Sequence, residues 1–530
     1  MDSCVRRWWV VAGMVCGFFF ASAVAAGDDA PELFERIEQG GEPVPREAYL
    51  DVWRVEVNTL ALRDPAQRIR LNIPGREPAE VRLTRFSPRA GYLHLEDENH
   101  IPYTIPDPKA QPEDFEWRWY GEGDGWTVAL TVYKGVAAGR VASATHRYGI
   151  EPRADGVTQL GHINSAYWKT HPEENRPPQG VALSLPSFDK SELPDGPTWD
   201  SSCSAPLNLN TYRNIDVLVL YTSNALTLYG GNVVSLRAGI QAAMDDGNDS
   251  LKNSRINTIN YVLAGLAPVP APPPPATSYD SLNIEAALNN LAGIFERNPP
   301  PNNCVQNANT SVRALRDSYH ADVVALARVN ATDGSCGVSW VQRTAFFGDQ
   351  CPMEPGAAWE KFAHLVFNPQ CSVDQLNLAH EVGHVLGMEH DPENAYYANY
   401  VGWLATPSCP WSFGHRHRGT NPGGTAYPFR DAMSYWETFY IGEGFAAGPD
   451  ACASPSDCPQ IEAYSNPGLE YRGPGVGGGV QTYTPGNGYP RLGVVGPLPA
   501  SNAWDTIQRV GAVVSNYRTR PEQIFKNGFD

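Results

Sequence analysis

The residues best suited to catalysis lie together in one short segment of the chain. Residues 380–391 read His-Glu-Val-Gly-His-Val-Leu-Gly-Met-Glu-His-Asp. His380 and His384 are four residues apart, so on a helix they share one face and can hold one zinc ion. Gly387 falls where this helix should end, and after the turn His390 can return as the third ligand. Three neutral imidazoles leave one coordination position open for water, which is the arrangement of a catalytic zinc site.

Glu381 directly follows the first of these histidines. Its carboxylate can take a proton from a water molecule that zinc activates, without itself binding the metal. Ser372 and Gln375 fit a capping box, which predicts where the helix should begin. The segment therefore predicts one catalytic Zn²⁺ ion, with Glu381 as the general base in the hydrolysis of a peptide bond.

The extended pattern resembles the metzincin metallopeptidases. Asp391, which follows the third histidine, resembles the adamalysin/reprolysin branch of that family. Met433, in the segment Asp-Ala-Met-Ser-Tyr, resembles the family's methionine turn, which forms an apolar floor below the zinc ion. Tyr435 stands where astacins and serralysins have a tyrosine near the zinc, so the resemblance implies a fifth ligand or a group that stabilises the transition state. A buried structural tyrosine is the alternative at this position.

Other segments are similar to secreted bacterial reprolysin-like and peptidyl-Asp metallopeptidases. The resemblance extends over roughly residues 212–520 and implies an α/β fold of the α+β metzincin type, with a twisted mixed sheet and an active-site helix. It also implies protein or peptide substrates that lie extended along an edge strand. The segments that carry it are 215–222, 337–341, 464–468 and 504–517, and the candidate strands beside the site are 337–342 and 362–367.

Hydrophobic patterning also favours an α/β architecture for a catalytic domain at residues 201–530. Residues 215–221 form a nearly continuous apolar run, which is typical of a buried strand. Apolar residues then recur at helical spacing from Val233 to Met244, and residues 321–329 form another buried run. Strands that alternate with helices predict a layered α/β domain.

Residues 27–200 have the pattern of a β-rich domain followed by a linker. Apolar and polar residues alternate over 53–57 and 126–133, as expected for strands with one buried face. We expect Gly135 and Gly139 to lie in the turn that follows. The resemblance to secreted metzincins implies that this region is a propeptide, and hence that the protein is made as a zymogen. A permanently attached binding domain is the alternative.

The first 26 residues have the pattern of a secretory signal peptide. Arg6 and Arg7 precede an apolar stretch that ends in small residues and is followed by an acidic segment. This pattern predicts an exported protein, extracellular or periplasmic, with no stable membrane association. An uncleaved membrane anchor is the alternative, although the apolar stretch is at the short limit for crossing a bilayer.

The cysteine distribution fits an exported protein. Of ten cysteines, Cys4 and Cys16 fall in the predicted signal, and all the others follow residue 202. The even number that remains predicts up to four disulfides. Cys203 has a second interpretation, because its thiol could occupy the open zinc position and keep a zymogen latent. The even count favours a disulfide, since a latency thiol would leave an odd number of cysteines.

Composition excludes two classes of protein. Lys and Arg number 40 and Asp and Glu number 58, a net charge of -18, which argues against nucleic-acid binding through a general basic surface. Hydrophobic residues make up 42% of the chain and charged residues 18%, which excludes a disordered protein. A chain of 530 residues is also long enough for more than one domain.

Two further alternatives concern the site and its function. His415 and His417 could form a second metal site or could lie on a solvated basic loop. The second alternative concerns function: the protein could be a non-catalytic secreted binding or adhesion protein on a metzincin scaffold and not a peptidase. Such a protein is expected to lose catalytic groups, whereas this chain keeps the three histidines, Glu381 and Met433. The residues give no basis for predicting calcium or the cleavage specificity.

Overall fold

The computed structural model describes strands and helices in two regions of the chain. The described residues are 30–39, 49–62, 66–85, 92–96, 102–106, 116–143, 145–153, 157–164, 203, 207, 209–295, 305–306, 309–329, 336–342, 356–371, 376–391, 394, 408–409, 411–420, 422–435, 452, 457–474, 480–494 and 500–518. The predicted signal peptide and linker therefore lie outside them, as do Ser372, Gln375, Cys304 and Cys351. Within these ranges, no helix has the length and apolar character needed to cross a membrane.

Alternating apolar and polar residues produce an antiparallel sheet in the N-terminal region. The strands are β1 (Phe34–Gln39), β2 (Tyr49–Val57), β3 (Ala66–Leu71), β4 (Ala79–Arg85), β5 (Tyr92–Glu96), β6 (Pro102–Pro106), β7 (Glu116–Gly123), β8 (Trp126–Tyr133), β9 (Val136–Ser143), β10 (Arg147–Pro152) and β11 (Thr158–Ile163). Nine of them form one sheet in the order β1-β2-β11-β10-β9-β8-β7-β4-β3, and β5 pairs with β6 alone. The N-terminal region is therefore β-rich, as the sequence predicted.

One face of this sheet covers a core of its own. Trp119, Leu130 and Ile150 point to this face and are each 1% exposed. Gly139 lies inside β9 and not in the predicted turn. A Cβ at Gly139 would lie 2.1 Å from the carbonyl oxygen of Ala129, and its φ is 147°, so the strand needs glycine at this point.

Strands and helices alternate along much of the second region. Its strands are β12 (Arg213–Tyr221), β13 (Ile259–Pro268), β14 (Ile294–Phe295), β15 (Val305–Gln306), β16 (Val323–Ala327), β17 (Gly337–Ser339), β18 (His364–Phe367), β19 (Arg416–His417), β20 (Phe429–Arg430), β21 (Asn466–Pro474), β22 (Val480–Tyr483) and β23 (Arg491–Leu492). Its helices are α1 (Ser223–Leu228), α2 (Val233–Asn253), α3 (Ile284–Ala292), α4 (Thr310–Ser318), α5 (Asn377–Val385) and α6 (Ala503–Val514). Short 3-10 helices span Tyr279–Ser281 and Gly356–Phe362.

The central sheet of the second region combines parallel and antiparallel strands. Its order is β13-β12-β16-β18-β17. The first four strands run parallel, whereas β17 pairs antiparallel with β18 through Gly337↔Phe367 and Ser339↔Leu365. Both strands fall within the predicted segments 337–342 and 362–367, although each is shorter. The second region is therefore a mixed α/β fold with an antiparallel strand at one edge.

Alternate residues of the central strands pack against helices on opposite sides of the sheet. In β12, Val217 and Val219 face the layer that contains α2, α5 and α6, whereas Leu218 and Leu220 face α3. All four side chains are 0% exposed. Because both faces of the strand are covered, its sequence is a continuous apolar run and not an alternating one.

Three disulfides lie among the described residues. They join Cys203 to Cys409, Cys336 to Cys371 and Cys452 to Cys458. The first closes a sequence separation of 206 residues. Its formation removes the free thiol that the latency interpretation of Cys203 requires. That interpretation is therefore replaced by the disulfide alternative.

Glu470 organises a loop near the end of the second region. Its Oε1 accepts hydrogen bonds from the backbone N–H groups of Gly486, Asn487 and Gly488 at 3.0, 3.3 and 3.2 Å. Burial raises the pKa of Glu470, but the three hydrogen bonds and the charge of Arg472 lower it by more. The pKa of Glu470 therefore lies below its ordinary value. A carboxyl group whose pKa is lower in the folded state adds stability above its unfolded pKa. It loses that contribution as the pH falls through the folded pKa.

We expect Glu470→Gln to lower the free energy of unfolding at pH 7 by about 1–2 kcal/mol, because a neutral amide oxygen accepts weaker hydrogen bonds than a carboxylate. The difference between variant and wild type should shrink as the pH falls below the ordinary glutamate pKa of about 4.3, because the unfolded chain then binds a proton more readily than the folded protein. Thermal unfolding at pH 7 and at a pH below the ordinary glutamate pKa measures the difference in stability between the two proteins. Glu38→Gln, at a side chain 59% exposed, is the control. A difference that does not change with pH would contradict the assignment.

Candidate metal centre

Helix α5 presents two of the three histidines. It begins at Asn377, directly after Leu376, whose left-handed φ of 51° interrupts a helix. The helix is therefore shorter than the capping-box prediction, and the Asn377 side-chain amide donates a hydrogen bond to the carbonyl oxygen of Cys336. Every residue of α5 is buried, against α2, β17 and β18. This packing holds His380 and His384 in place on one face.

A turn at Gly387 follows α5 and reverses the chain. Gly387 has a φ of 82°, and its N–H donates to the carbonyl oxygen of His384 at 2.8 Å. A Cβ at this position would lie 2.1 Å from Ser408 Oγ. Glycine is therefore needed both for the backbone conformation and for the space. Beyond the turn, His390 returns to the face of the helix that carries the other two histidines.

Three imidazole nitrogens converge at this face. Nε2 of His384 lies 3.1 Å from Nε2 of His380 and 3.1 Å from Nε2 of His390. The three residues are only 5–8% exposed. Within the described ranges, this is the one group of three ligand-type side chains whose ligand atoms all lie within 4.8 Å of one another. The structure thus brings together the three histidines that the sequence predicts as ligands.

The hydrogen bonds of these imidazoles suit a metal ion. Nδ1 of His380 lies 2.8 Å from the carbonyl oxygen of Ala432, and Nδ1 of His384 lies 2.7 Å from that of Met388. A carbonyl oxygen can only accept, so both Nδ1 atoms carry the proton and both Nε2 atoms present lone pairs. Converging lone pairs repel one another unless a cation lies between them. A donor set of three neutral imidazoles fits zinc.

Burial keeps the three imidazoles in the neutral form. It lowers the pKa of His380 to about 4 and that of His384 to about 3, where the neighbouring His380 adds to the shift. Burial also holds the pKa of His390 well below its ordinary value. Neutral imidazole is the form that binds a metal. The cluster can therefore bind a metal near neutral pH without first losing protons.

Glu381 lies beside the histidines and contacts the edge strand. Ser339 Oγ, in β17, lies 2.8 Å from Glu381 Oε2 and 3.0 Å from the Glu381 carbonyl oxygen. A Cβ at Gly337 would lie 2.4 Å from Glu381 Oε1, so glycine leaves room for the carboxyl group. Burial raises the pKa of Glu381 to about 8, although the hydrogen bond from Ser339 opposes the rise. A pKa near neutrality suits a group that gains and loses a proton.

The methionine turn packs against α5. Met433 is 0% exposed, and its sulfur lies 2.4 Å from where a Cβ would be at Gly383, the residue before His384. Gly383 therefore allows the methionine side chain to approach the helix closely. Asp431 holds the turn, because its Oδ1 accepts hydrogen bonds from Ser434 Oγ at 2.6 Å and from Met433 N–H at 3.1 Å. The turn is thus held against the helix that carries two of the histidines.

Asp391 joins the segment after the third histidine to the methionine turn. Its Oδ2 accepts a hydrogen bond from the Tyr435 N–H at 3.2 Å, and its Oδ1 lies 3.6 Å from Arg416 Nη2. The Tyr435 ring lies 4.4 Å from the His390 ring, centroid to centroid. Burial raises the pKa of Tyr435 well above its ordinary value, and Glu381 adds to the shift. Tyr435 is therefore a protonated phenol next to the histidine cluster.

His415 and His417 lie apart from this cluster. Their rings stack with centroids 6.0 Å apart, and both pack near Phe429, at 5.8 and 6.0 Å. His415 is 9% exposed, so a solvated position is wrong for this residue. Among the residues with described positions, neither histidine belongs to a group of three ligand-type side chains.

Several features of the site were not predicted from the sequence. They are the hydroxyl of Ser339, the space at Gly383 and the two main-chain carbonyl groups that orient the imidazoles. Of these features, only the space at Gly383 has a signal in the local sequence. A small residue between two histidines of one helix indicates that another part of the chain packs closely there. The others depend on segments that are distant in the sequence and meet only in the fold.

Comparisons with known proteins find metallopeptidases. Residues 211–434 match a reprolysin family model described as metallo-peptidase family M12. A peptidyl-Asp metalloendopeptidase of Xanthomonas campestris pv. campestris is 26% identical over 358 residues, covering 67% of this chain and 66% of that protein. A peptidyl-Asp metalloendopeptidase of Stenotrophomonas maltophilia is 25% identical over 289 residues, covering 54% of this chain and 53% of that protein. The chain thus spans between about half and two thirds of the length of these relatives.

A solved structure titled "Structure of a chaperone-substrate complex" is 16% identical to this chain. The match covers 58% of this chain and 36% of that chain, with a TM-score of 0.34, which is too low to assign a fold. The family match is more informative, because its range begins just before β12 and ends within the methionine turn. It therefore contains the central sheet, α5 and all three histidines. On these grounds, residues 211–434 are similar to the reprolysin-like metallopeptidases of family M12, and the histidine cluster lies within the matched range.

Proposed function

We propose that this protein is a secreted zinc-dependent endopeptidase. The observation that carries the proposal is the convergence of three imidazole Nε2 atoms beside a buried carboxyl group on the helix that carries two of them. His380, His384 and His390 would hold the ion, and Glu381 would act as the general base. The relatives named peptidyl-Asp metalloendopeptidase support protein or peptide substrates.

The chain's own groups have distinct roles in the proposed reaction. A bound zinc ion would act as a Lewis acid, which would lower the pKa of water to about 7 and polarise the carbonyl group of the substrate. Glu381 takes the proton from the attacking water and later returns it to the leaving amine. Ser339 holds the Glu381 carboxyl group through Oε2. Tyr435, kept protonated by its raised pKa, donates a hydrogen bond to the oxyanion as it develops.

Substrate is proposed to bind along β17. This strand ends the central sheet and lies against α5, so an extended peptide can add to it through main-chain hydrogen bonds. Side-chain pockets would then give the specificity. Because two relatives are named peptidyl-Asp metalloendopeptidase, we propose cleavage next to aspartate as the first specificity to test.

Export and synthesis as a zymogen complete the proposal. Residues 1–26 would be the signal peptide and residues 27–200 a propeptide-like domain with its linker, followed by the catalytic domain at 201–530. The disulfides among the described residues are compatible with an extracellular protein. A single main chain would then carry the signal, the propeptide-like domain and the enzyme.

A peptide-library assay tests this function. The purified protein is incubated with the library before and after limited proteolysis within residues 165–202, with and without a chelator, and the products are read by mass spectrometry. We expect the cut protein to cleave peptides internally, an activity that the chelator removes and added zinc restores. The alternative of a non-catalytic binding or adhesion protein predicts no cleavage under either condition. Intact mass measurement of the same sample shows whether the chain is cut near residue 200.

Ser339→Ala should lower kcat about tenfold with little change in KM, because Glu381 loses a contact that holds it while the strand keeps its main-chain groups. Ser339→Thr keeps the hydroxyl and should restore most of the rate. Bound zinc, measured in parallel, should be the same in all three proteins. Equal impairment of the Ala and Thr variants would show that the hydroxyl does not position Glu381.

A further inference from the structure

Helix α2 has an acidic face that the N-terminal sheet covers. Asp245, Asp246 and Asp249 are only 3%, 7% and 8% exposed, although they lie on the helix side directed away from its own sheet. Carboxylates are rarely buried unless cations or hydrogen-bond donors pair with them. The surface that covers this face must therefore supply such groups.

Strands β7 and β8 supply the first set. Arg118 in β7 forms an ion pair with Asp249, and its Nε lies 3.8 Å from Asp245 Oδ2. Thr131 in β8 donates from Oγ1 to the same Asp245 oxygen at 2.7 Å. The Arg118 side chain is 11% exposed, so little water competes for these contacts. Two carboxylates of α2 are thereby paired with the sheet.

Strands β9 and β10 supply the second set. Arg140 in β9 forms an ion pair with Glu462, and its Nη2 lies 3.4 Å from Asp246 Oδ1. Arg147 in β10 donates from Nη2 to the carbonyl oxygen of Gln460 at 3.1 Å. The sheet thus contacts both α2 and the segment that precedes β21.

Small residues let the helix approach the same face of the sheet. The strand register places Arg118 opposite Thr131, Thr131 opposite Ala138, and Arg140 opposite Ala129. Residues paired in this way share one face, and Ala129 and Ala138 are 8% and 1% exposed. The face therefore combines arginines at its margins with alanines at its centre, and the opposite face covers the N-terminal core.

No disulfide can tie the two regions together, because no cysteine lies between residues 27 and 202. We propose that the acidic face of α2 is a docking surface for this chain's own residues 30–164, and that the N-terminal domain stays bound there as a non-covalent subunit after the segment 165–202 is cut. Tyr49 of β2 packs against the Cys336–Cys371 disulfide, so the docked sheet also reaches the residue that precedes β17. Cleavage then yields a two-chain complex and not a free catalytic domain.

The test uses the full chain with a site-specific protease sequence inserted within 165–202. Glu381→Gln in this background prevents self-digestion, and the readout is association and not activity. After cutting, size-exclusion chromatography and native mass spectrometry should show both fragments in one complex. Arg118→Ala with Arg140→Ala should raise the Kd of the cut fragments about a hundredfold or more, because buried carboxylates lose their partners.

Two further variants keep the result interpretable. Arg36→Ala with Arg68→Ala is the matched control, since these exposed arginines of the same sheet pair with exposed glutamates, and the Kd should not change. Thr131→Val removes one hydroxyl from the interface and should raise the Kd about tenfold even if the double arginine variant fails to fold. Separation of the cut parent protein at physiological salt would overturn the proposal. A Thr131→Val complex as tight as its parent would also overturn it.

Discussion

Glu381→Gln should lower kcat/KM for peptide hydrolysis by about 10²–10⁴-fold while zinc remains bound. The amide oxygen of glutamine can still accept the hydrogen bond that Ser339 Oγ makes to Glu381 at 2.8 Å, so the side chain should stay in place. An amide does not take up a proton near neutral pH, so the activation of water is lost. The three histidines are unchanged, so their affinity for zinc should be largely kept.

Initial rates on a peptide substrate and zinc content after dialysis measure the two parts of this prediction. Glu80→Gln makes the same chemical change at a side chain 47% exposed in the N-terminal sheet, and should leave both unchanged. Hydrolysis by Glu381→Gln at the wild-type rate would exclude the proposed general base. Loss of zinc from the variant would instead show that the carboxyl group supports metal binding.

His384→Ala should abolish both zinc binding and hydrolysis. His384 is central to the cluster, since its Nε2 lies 3.1 Å from the Nε2 atoms of both other histidines. Its loss leaves two imidazoles, which is fewer than the three protein ligands of a catalytic zinc site. Zinc content by elemental analysis should fall from about one equivalent to none. His417→Ala is the matched control. If this variant keeps one equivalent of zinc, the result agrees with a single metal site.

Metal removal from the wild-type protein should lower its thermal stability. A ligand that binds only the folded state stabilises it by about 4 kcal/mol when its free concentration is 1,000 times its Kd. A chelator should therefore lower the Tm, and excess zinc should restore it, whereas the Tm of His384→Ala should not respond to zinc. An unchanged wild-type Tm after verified metal removal would contradict a metal held by the folded cluster.

Local patterns predicted the parts of the site that depend on nearby residues. His380 and His384 lie within one helix, so their spacing alone places both on one face. Gly387 stands at a turn that requires a positive φ, and glycine is the residue that adopts it most easily. The apolar run at 215–221 corresponds to β12, which is covered on both sides. In each case the signal lies within a few consecutive residues.

Long-range contacts decided what these patterns could not predict. The helix begins at Asn377 because Leu376 has a left-handed backbone, which no capping pattern indicated. Gly139 is needed inside β9 because the neighbouring strand approaches it closely, and not because the chain turns there. The partner of Cys203 lies 206 residues away. A sequence pattern has no information on which distant segments will meet.

The orientation of the ligands depends on groups that a point mutation cannot delete. Nδ1 of His380 and Nδ1 of His384 both point to carbonyl oxygens of the main chain, at Ala432 and Met388. Any amino acid at these two positions supplies the same acceptor. The orientation of these two ligands should therefore tolerate side-chain replacement at Ala432 and Met388, and metal affinity should be difficult to tune by replacing residues there. It should instead respond to insertions or deletions that shift the path of the backbone.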